Sequence, residues 1–125
     1  MCGIAGAIDW QGRDKRSIVA AMTRSLAHRG PDGEGISVSG AATLGHRRLA
    51  VLDLSQAAAQ PMFDAAGRYA IVFNGEIYNF KDVRADLERE GAVFRTQGDT
   101  EIVLEAYRRW GTDALARLDG MFAFA

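Results

Sequence analysis

Four polar stretches of this chain carry residue types that could do chemistry together: Cys2, Arg48, Asn74-Gly75-Glu76 and Asp99. Cys2 is the only cysteine. A side chain this small at position 2 lets the initiator methionine be removed. Cys2 is then expected at the N-terminus, with a thiol and a free α-amine on one residue. The thiolate is the strong nucleophile. An α-amine titrates near pH ~7.7–8.0, low enough to act as a base close to neutrality. A nucleophile with its base a few bonds away is the N-terminal-nucleophile arrangement in its cysteine form. The plain alternative is a small buried hydrophobe. Arg48 offers a guanidinium fork to a carboxylate, or it is a solvated or salt-bridged arginine. Asn74 and Gly75 offer a side-chain amide and a backbone N–H to a tetrahedral oxyanion. Asn-Gly is also the leading two-residue hairpin signal. Asp99 caps a helix, or, with Thr100 as the cap, is free to bind a cationic group.

The elements that must position these residues follow from periodicity and turn signals. Ile4, Ala5, Ala7 and Ile8 predict a short buried strand with Cys2 at its end. Residues 10–13 turn. Residues 17–27 form a helix with Ile18, Val19, Met22 and Leu26 on one face. Three glycines and a proline make 28–35 a loop. Residues 36–39 form a strand, Gly40 turns it, and 42–44 return as a hairpin. Residues 46–53 are a further strand, on which His46 and Arg48 share a face and Arg47 points away. Residues 55–61 are loop. A turn at 64–67 precedes 69–73, the most strand-like run. Phe80, Val83, Arg84 and Leu87 mark a helix ended by Gly91 at C′, and 93–95 are a short strand. Asp99 or Thr100 starts a helix with Ile102, Val103, Ala106, Tyr107 and Trp110 inward, stopped by Gly111. Thr112 or Asp113 starts a short helix through Leu118. Residues 121–125 are apolar, with no cap, charge or turn, and are expected to be a strand cut from a longer protein.

Composition narrows the classes. The 125 residues suffice for one domain with a real core. A formal net charge of −1 argues against a general nucleic-acid or membrane surface. One cysteine excludes an internal disulfide and fits a reducing, cytoplasmic compartment. Cys2, His28 and His46 are too few ligands for a structural zinc site, so no metal is expected. There is no basic n-region followed by an apolar run, and so neither a signal peptide nor a membrane span. N-myristoylation would need glycine at position 2.

Six motifs fall in order: Met1-Cys2-Gly3-Ile4-Ala5-Gly6, His28-Arg29-Gly30-Pro31-Asp32-Gly33, Gly45-His46-Arg47-Arg48-Leu49, Gln60-Pro61-Met62, Phe73-Asn74-Gly75-Glu76-Ile77-Tyr78-Asn79 and Gly98-Asp99-Thr100-Glu101. Together they resemble, over residues 1–125, the N-terminal glutaminase domain of glutamine-hydrolysing asparagine synthetases, which are class II glutamine amidotransferases. The His-Arg-Gly-Pro-Asp form is similar to asparagine synthetase rather than to the related glucosamine-phosphate synthase or phosphoribosylpyrophosphate amidotransferase domains. The resemblance implies an α+β fold, a four-layer αββα sandwich of N-terminal nucleophile hydrolase type, incomplete at its C-terminus. It implies that Cys2 attacks the glutamine side-chain amide while its own amine shuttles the proton. Asn74 and Gly75 would form the oxyanion hole, Arg48 would hold the α-carboxylate and Asp99 the α-ammonium. Glu76 belongs to the same binding loop with no role fixed. L-glutamine is the implied substrate, with no cofactor in this chain. A following synthetase domain, with ATP and Mg, would take the ammonia to make asparagine from aspartate, and a homodimer is a candidate assembly of the full-length form. The rivals are an amidotransferase with another acceptor and a non-catalytic scaffold copy of the fold.

Overall fold

The computed structural model describes residues 1–125. Strand β1 (Gly3–Ile8) leads through a turn into helix α1 (Arg16–Ser25). Asp9 closes that turn. Its carboxylate accepts from the Gln11 N–H, from Arg13 Nε at 2.8 Å and from Lys15 Nζ at 2.9 Å. The Lys15 and Arg13 contacts hold its pKa down at about 2. Strands β2 (Gly33–Ser39) and β3 (Ala42–Arg48) form a hairpin, and β1 pairs antiparallel with β3, giving the order β1-β3-β2. Helix α1 lies on one face of this sheet. It approaches closely because β3 presents Gly45 beneath it: a Cβ there would sit 2.1 Å from Thr23 Oγ1.

The chain then makes a 3₁₀ turn (Gln56–Ala58) and a two-residue pairing of β4 (Met62–Phe63) with β5 (Ala70–Ile71). Strand β6 (Phe73–Ile77) pairs antiparallel with β7 (Gly120–Phe124). Between them come α2 (Phe80–Arg89), α3 (Asp99–Trp110) and a 3₁₀ segment (Gly111–Arg117). Alternation sends Phe73 and Ile77 to the α3 side, where Met62, Ile71, Val103 and Leu104 complete one apolar cluster. Val83, Leu87, Ala92, Ile102, Ala106 and Ala114 form a second cluster between α2, α3 and the 3₁₀ segment. Across the other face, β1 meets β6, and His46 Nε2 of β3 reaches Phe73 O at 3.1 Å. The layers are therefore α1, first sheet, β6–β7, then α2 with α3. No helix is long and apolar enough to cross a membrane.

Several local expectations are corrected. The predicted strand over 46–53 ends at Arg48 and joins 42–44 in one continuous strand. Beyond it, backbone donors go to side chains instead: Leu49 N–H to Cys2 Sγ and Ala50 N–H to Asp32 Oδ2. Strand β2 starts at Gly33, inside the predicted loop. The 69–73 run breaks into β5 and β6, and β6 carries on through Asn74-Gly75, so this Asn-Gly is not a hairpin turn. Residues 93–95 form no strand, and Val93 is exposed. The Arg95 and Thr96 N–H groups there donate to the buried Glu101 carboxylate. Neither Asp99 nor Thr100 caps α3: Gly98 stands at the N-cap position and no side chain bonds there. The last predicted helix is 3₁₀. On α1 the buried residues are Val19 and Thr23, while Ile18 and Met22 are exposed, because the contact over Gly45 is narrow. Tyr107 and, in β1, Ile8 are likewise exposed, not inward. Gly91, with φ 88, ends α2 as expected.

Candidate active site

Cys2, Arg48, Asn74, Gly75, Glu76 and Asp99 all line one pocket of about 220 Å³. Four elements deliver them. The N-terminal end of β1 and the C-terminal end of β3 lie side by side in the first sheet and bring Cys2 and Arg48. Strand β6 brings Asn74 to Glu76, and the first residue of α3 is Asp99. The stretch from Leu49 to Asp53 forms another wall.

The Cys2 side chain is half-buried and held by one residue: Leu49 N–H donates to Sγ at 3.3 Å, and Sγ approaches Leu49 O at 3.6 Å. Arg29 Nε donates to the Cys2 carbonyl at 3.0 Å. Met1 lines the same pocket. While it is attached, the Cys2 nitrogen is an amide and has no basic lone pair.

The Asn74 carboxamide makes no hydrogen bond within the protein, and its Oδ1 is the one buried side-chain polar atom without a partner. Unpaired buried groups of this kind call for an explanation, and ligand binding is one. Gly75 is defined by the strand register. Val72 exchanges both backbone bonds with Ala125, and Tyr78 N–H bonds Asp119 O. Pairs along an antiparallel ladder alternate, so Phe73, Gly75 and Ile77 turn their backbone groups away from β7. Phe73 N–H is taken by Gln60 Oε1 at 2.6 Å and Ile77 N–H by Asp99 Oδ2 at 3.0 Å. Between them, Gly75 N–H faces the pocket wall unpaired. Its position also requires glycine, because a Cβ would lie 2.4 Å from Met121 O and 2.5 Å from Phe122 Cα.

Arg48 donates through Nη1 to Ser55 O at 2.9 Å and through Nη2 to Asp53 O. It thus fastens the 53–55 loop with part of a fork that has five N–H donors. The Asp53 carboxylate continues the link, accepting from Gln97 N–H at 2.9 Å just before α3. Asp99 is 7% exposed. Burial raises its pKa above the usual carboxylate range, the Ile77 N–H opposes this, and the charge of Glu76 pushes it further up. Two carboxylates facing one pocket suit a cationic ligand group. No three His, Cys, Asp or Glu side chains gather where they could hold a metal ion.

A model of the glutamine amidotransferase domain family matches residues 1–125. The chain belongs to that family. This amidotransferase domain is 38% identical over 128 residues to the glutamine-hydrolysing asparagine synthetase 1 of Bacillus subtilis, covering 99% of the chain and 20% of that protein. It is 38% identical over 127 residues to the glutamine-hydrolysing asparagine synthetase B of Escherichia coli, covering 100% of the chain and 23% of that protein. The domain therefore spans about a fifth of the length of these relatives. Among solved structures, a glutamine phosphoribosylpyrophosphate amidotransferase of B. subtilis superposes with a TM-score of 0.76 at 24% identity, over 98% of the domain and 34% of that chain. The fold is of the N-terminal nucleophile hydrolase type, as expected from the sequence.

Residue types alone gave no role to Gln60, His46, Asp53, Arg29 or Leu49. Four of them stand inside the quoted motifs, but their partners lie far away in the chain: Phe73 for Gln60 and His46, Cys2 for Arg29 and Leu49. Only the motif spelling marked them.

Proposed function

We propose that this domain hydrolyses L-glutamine to glutamate and ammonia through a thioester on Cys2. The observation that carries the reading is the gathering of residues 2, 48, 74–76 and 99 on one pocket, with the Asn74 carboxamide and the Gly75 N–H unpaired there. Removal of Met1 frees the α-amine. The amine takes the thiol proton as Sγ bonds to the amide carbon, and the carbonyl electrons move onto oxygen. Gly75 N–H and the Asn74 Nδ2 donors meet that developing charge, which is worth more to the transition state than to the substrate. The C–N bond then breaks, and the ammonium proton of Cys2 leaves with ammonia. Water, giving its proton to the same amine, opens the thioester and releases glutamate. Arg48 selects the α-carboxylate. Asp99, with Glu76 beside it, selects the α-ammonium.

In the full-length protein the ammonia serves an ATP- and Mg-dependent synthetase domain that converts aspartate to asparagine in the cytoplasm. The support is the identity to two asparagine synthetases over the whole of this chain. The decisive test is glutaminase assay of protein whose N-terminus has been mapped by mass spectrometry. Material beginning at Cys2 is expected to turn over glutamine and material retaining Met1 is not. Equal activity of the two forms would refute the α-amine as base.

A further inference from the structure

Strand β6 has a partner on one edge only. On the other edge its backbone groups need something else, and the residue just before the oxyanion pair is gripped twice. Phe73 N–H donates to Gln60 Oε1 at 2.6 Å, and Phe73 C=O accepts from His46 Nε2 at 3.1 Å. The two side chains come from different places: His46 from the middle of β3 in the facing sheet, Gln60 from the loop before β4. Gln60 is itself anchored, its Nε2 donating to Thr100 Oγ1 at 3.2 Å, one residue past Asp99. Phe73 and His46 are 2% and 1% exposed, so the His46 bond is shut off from water, while the Gln60 bond is part-buried at the pocket wall. A carbonyl only accepts, so Nε2 must carry the His46 proton. Burial keeps the ring neutral, with its pKa lowered to about 4, which leaves that tautomer in place across the working pH range.

We propose that Gln60 and His46 are positioning residues of the oxyanion hole, clamping Phe73 so that Asn74 and Gly75 meet the developing charge at a fixed angle. An oxyanion hole works by donors that need no reorganisation when charge appears. A strand held along one edge can slide or twist about it, and a misplacement of about 1 Å costs about 10²-fold in rate. Gln60 spends both ends of its amide inside the protein, and His46 does not line the pocket. They therefore act through Phe73, not on the substrate. The Gln60–Thr100 bond fixes the orientation of the Gln60 amide, so that Oε1 faces the Phe73 N–H. The proposal rests on the assignment of Cys2, Asn74 and Gly75 above.

The test uses the intact protein beginning at Cys2 and two probes. Glutamate reads the pocket. The aldehyde analogue of glutamine, with CHO in place of the carboxamide, reads the hole: Sγ bonds to its carbonyl carbon, the thiol proton passes to the α-amine, and the oxygen becomes the anion. Gln60→Met and His46→Leu are expected to lower kcat about 10–100-fold and weaken the aldehyde by a similar factor. KM and glutamate affinity are expected to stay within about threefold. His46→Gln, whose amide can still donate to Phe73 O, is expected to recover most of the loss. Gln60 stands on a pocket wall, so Gln60→Met carries the test if His46→Leu unfolds the protein. An active parent whose variants lose glutamate and aldehyde equally, or lose neither, overturns the clamp alone. A parent that neither hydrolyses glutamine nor takes up the aldehyde overturns the Cys2 assignment, and the clamp with it.

Discussion

At Cys2 the thiol makes hydrogen bonds with Leu49 alone and the side chain is small and only half-buried, so its chemistry can be removed with little disturbance of packing. Cys2→Ala and Cys2→Ser are each expected to abolish glutamine hydrolysis while the thermal midpoint stays near that of the parent. Turnover comparable to the parent in Cys2→Ala would refute the nucleophile. For Arg48 a charge-assisted bond of roughly 1.5–3 kcal/mol is at stake, so Arg48→Ala is expected to raise KM about 10–100-fold in steady-state kinetics. Arg48→Lys is not expected to rescue it, because an ammonium cannot hold two loop carbonyls and also present a fork to a carboxylate. Asp99 gives a pH signature. Burial, with Glu76 adding to it, makes the carboxyl protonate at a higher pH than an ordinary aspartate. KM for glutamine should therefore rise on acidification while normal carboxylates are still ionised. Asp99→Asn should show a high KM without that acidic rise; an unchanged profile would show that Asp99 does not face the α-ammonium. The residue types at 2, 48, 74–76 and 99 were legible in the chain because each has few chemical uses. The helper roles of Gln60 and His46 were not, because both act on the backbone of Phe73, 13 and 27 positions away.

At the scale of elements, β6 and α3 show local signals overruled. Asn74-Gly75 carries the strongest short hairpin signal, yet it stands in a strand whose partner, β7, lies more than forty residues on. Burial of Phe73 and Ile77 against α3, together with the pairing to β7, outweighs a turn preference that involves two residues. Gly75→Ala places a Cβ against Met121 O and Phe122 Cα, backbone that cannot yield without opening the β6–β7 pair. Overpacking of this kind costs about 1–3 kcal/mol. A lower urea midpoint together with lost activity is expected, and an active, fully stable Gly75→Ala protein would contradict the close approach. The start of α3 is similar. Asp99 and Thr100 are good N-cap residues, but the Asp99 carboxylate goes to Ile77 N–H and the Thr100 hydroxyl to Gln60, both outside the helix. Glu101 is spent the same way, on the loop before the helix. Burial alone would raise its pKa, but bonds from the Thr96 hydroxyl and the Arg95 and Thr96 N–H groups bring it below the usual range. Helix periodicity placed α2 and α3 well because it is a local property. The 93–95 segment failed because three residues carry no period.

For the whole molecule, the two sheets are joined across their interface by His46, and acid should loosen that joint. The folded ring is neutral with a pKa of about 4, against 6.5 for the free side chain. The unfolded chain therefore binds a proton that the folded chain refuses. The His46 contribution is complete above pH 6.5, is lost as pH falls towards 4, and is constant below that. At about 1.4 kcal/mol per pH unit the loss approaches about 3 kcal/mol. His46→Gln should flatten the fall in urea stability between pH 7 and pH 4.5, and an unchanged slope would place the acid sensitivity elsewhere. Strand β7 pairs with β6 alone, and its other edge is apolar and open. Expressed as these 125 residues, the chain is expected to self-associate, because such an edge templates further pairing. A sharp monomeric sedimentation boundary would contradict this. Residue type and local period were enough to nominate Cys2 and its candidate partners, to set out the motif order that marks the family, and to place α1, α2 and α3. Strand pairing and long-range packing brought residues 2, 48, 74–76 and 99 to one pocket, ran Asn74-Gly75 straight, and left the Gly75 N–H open. Those outcomes depend on which strands pair and which distant side chains reach backbone groups, and pairing energy between segments far apart in the chain outweighs the preference of any two or three adjacent residues.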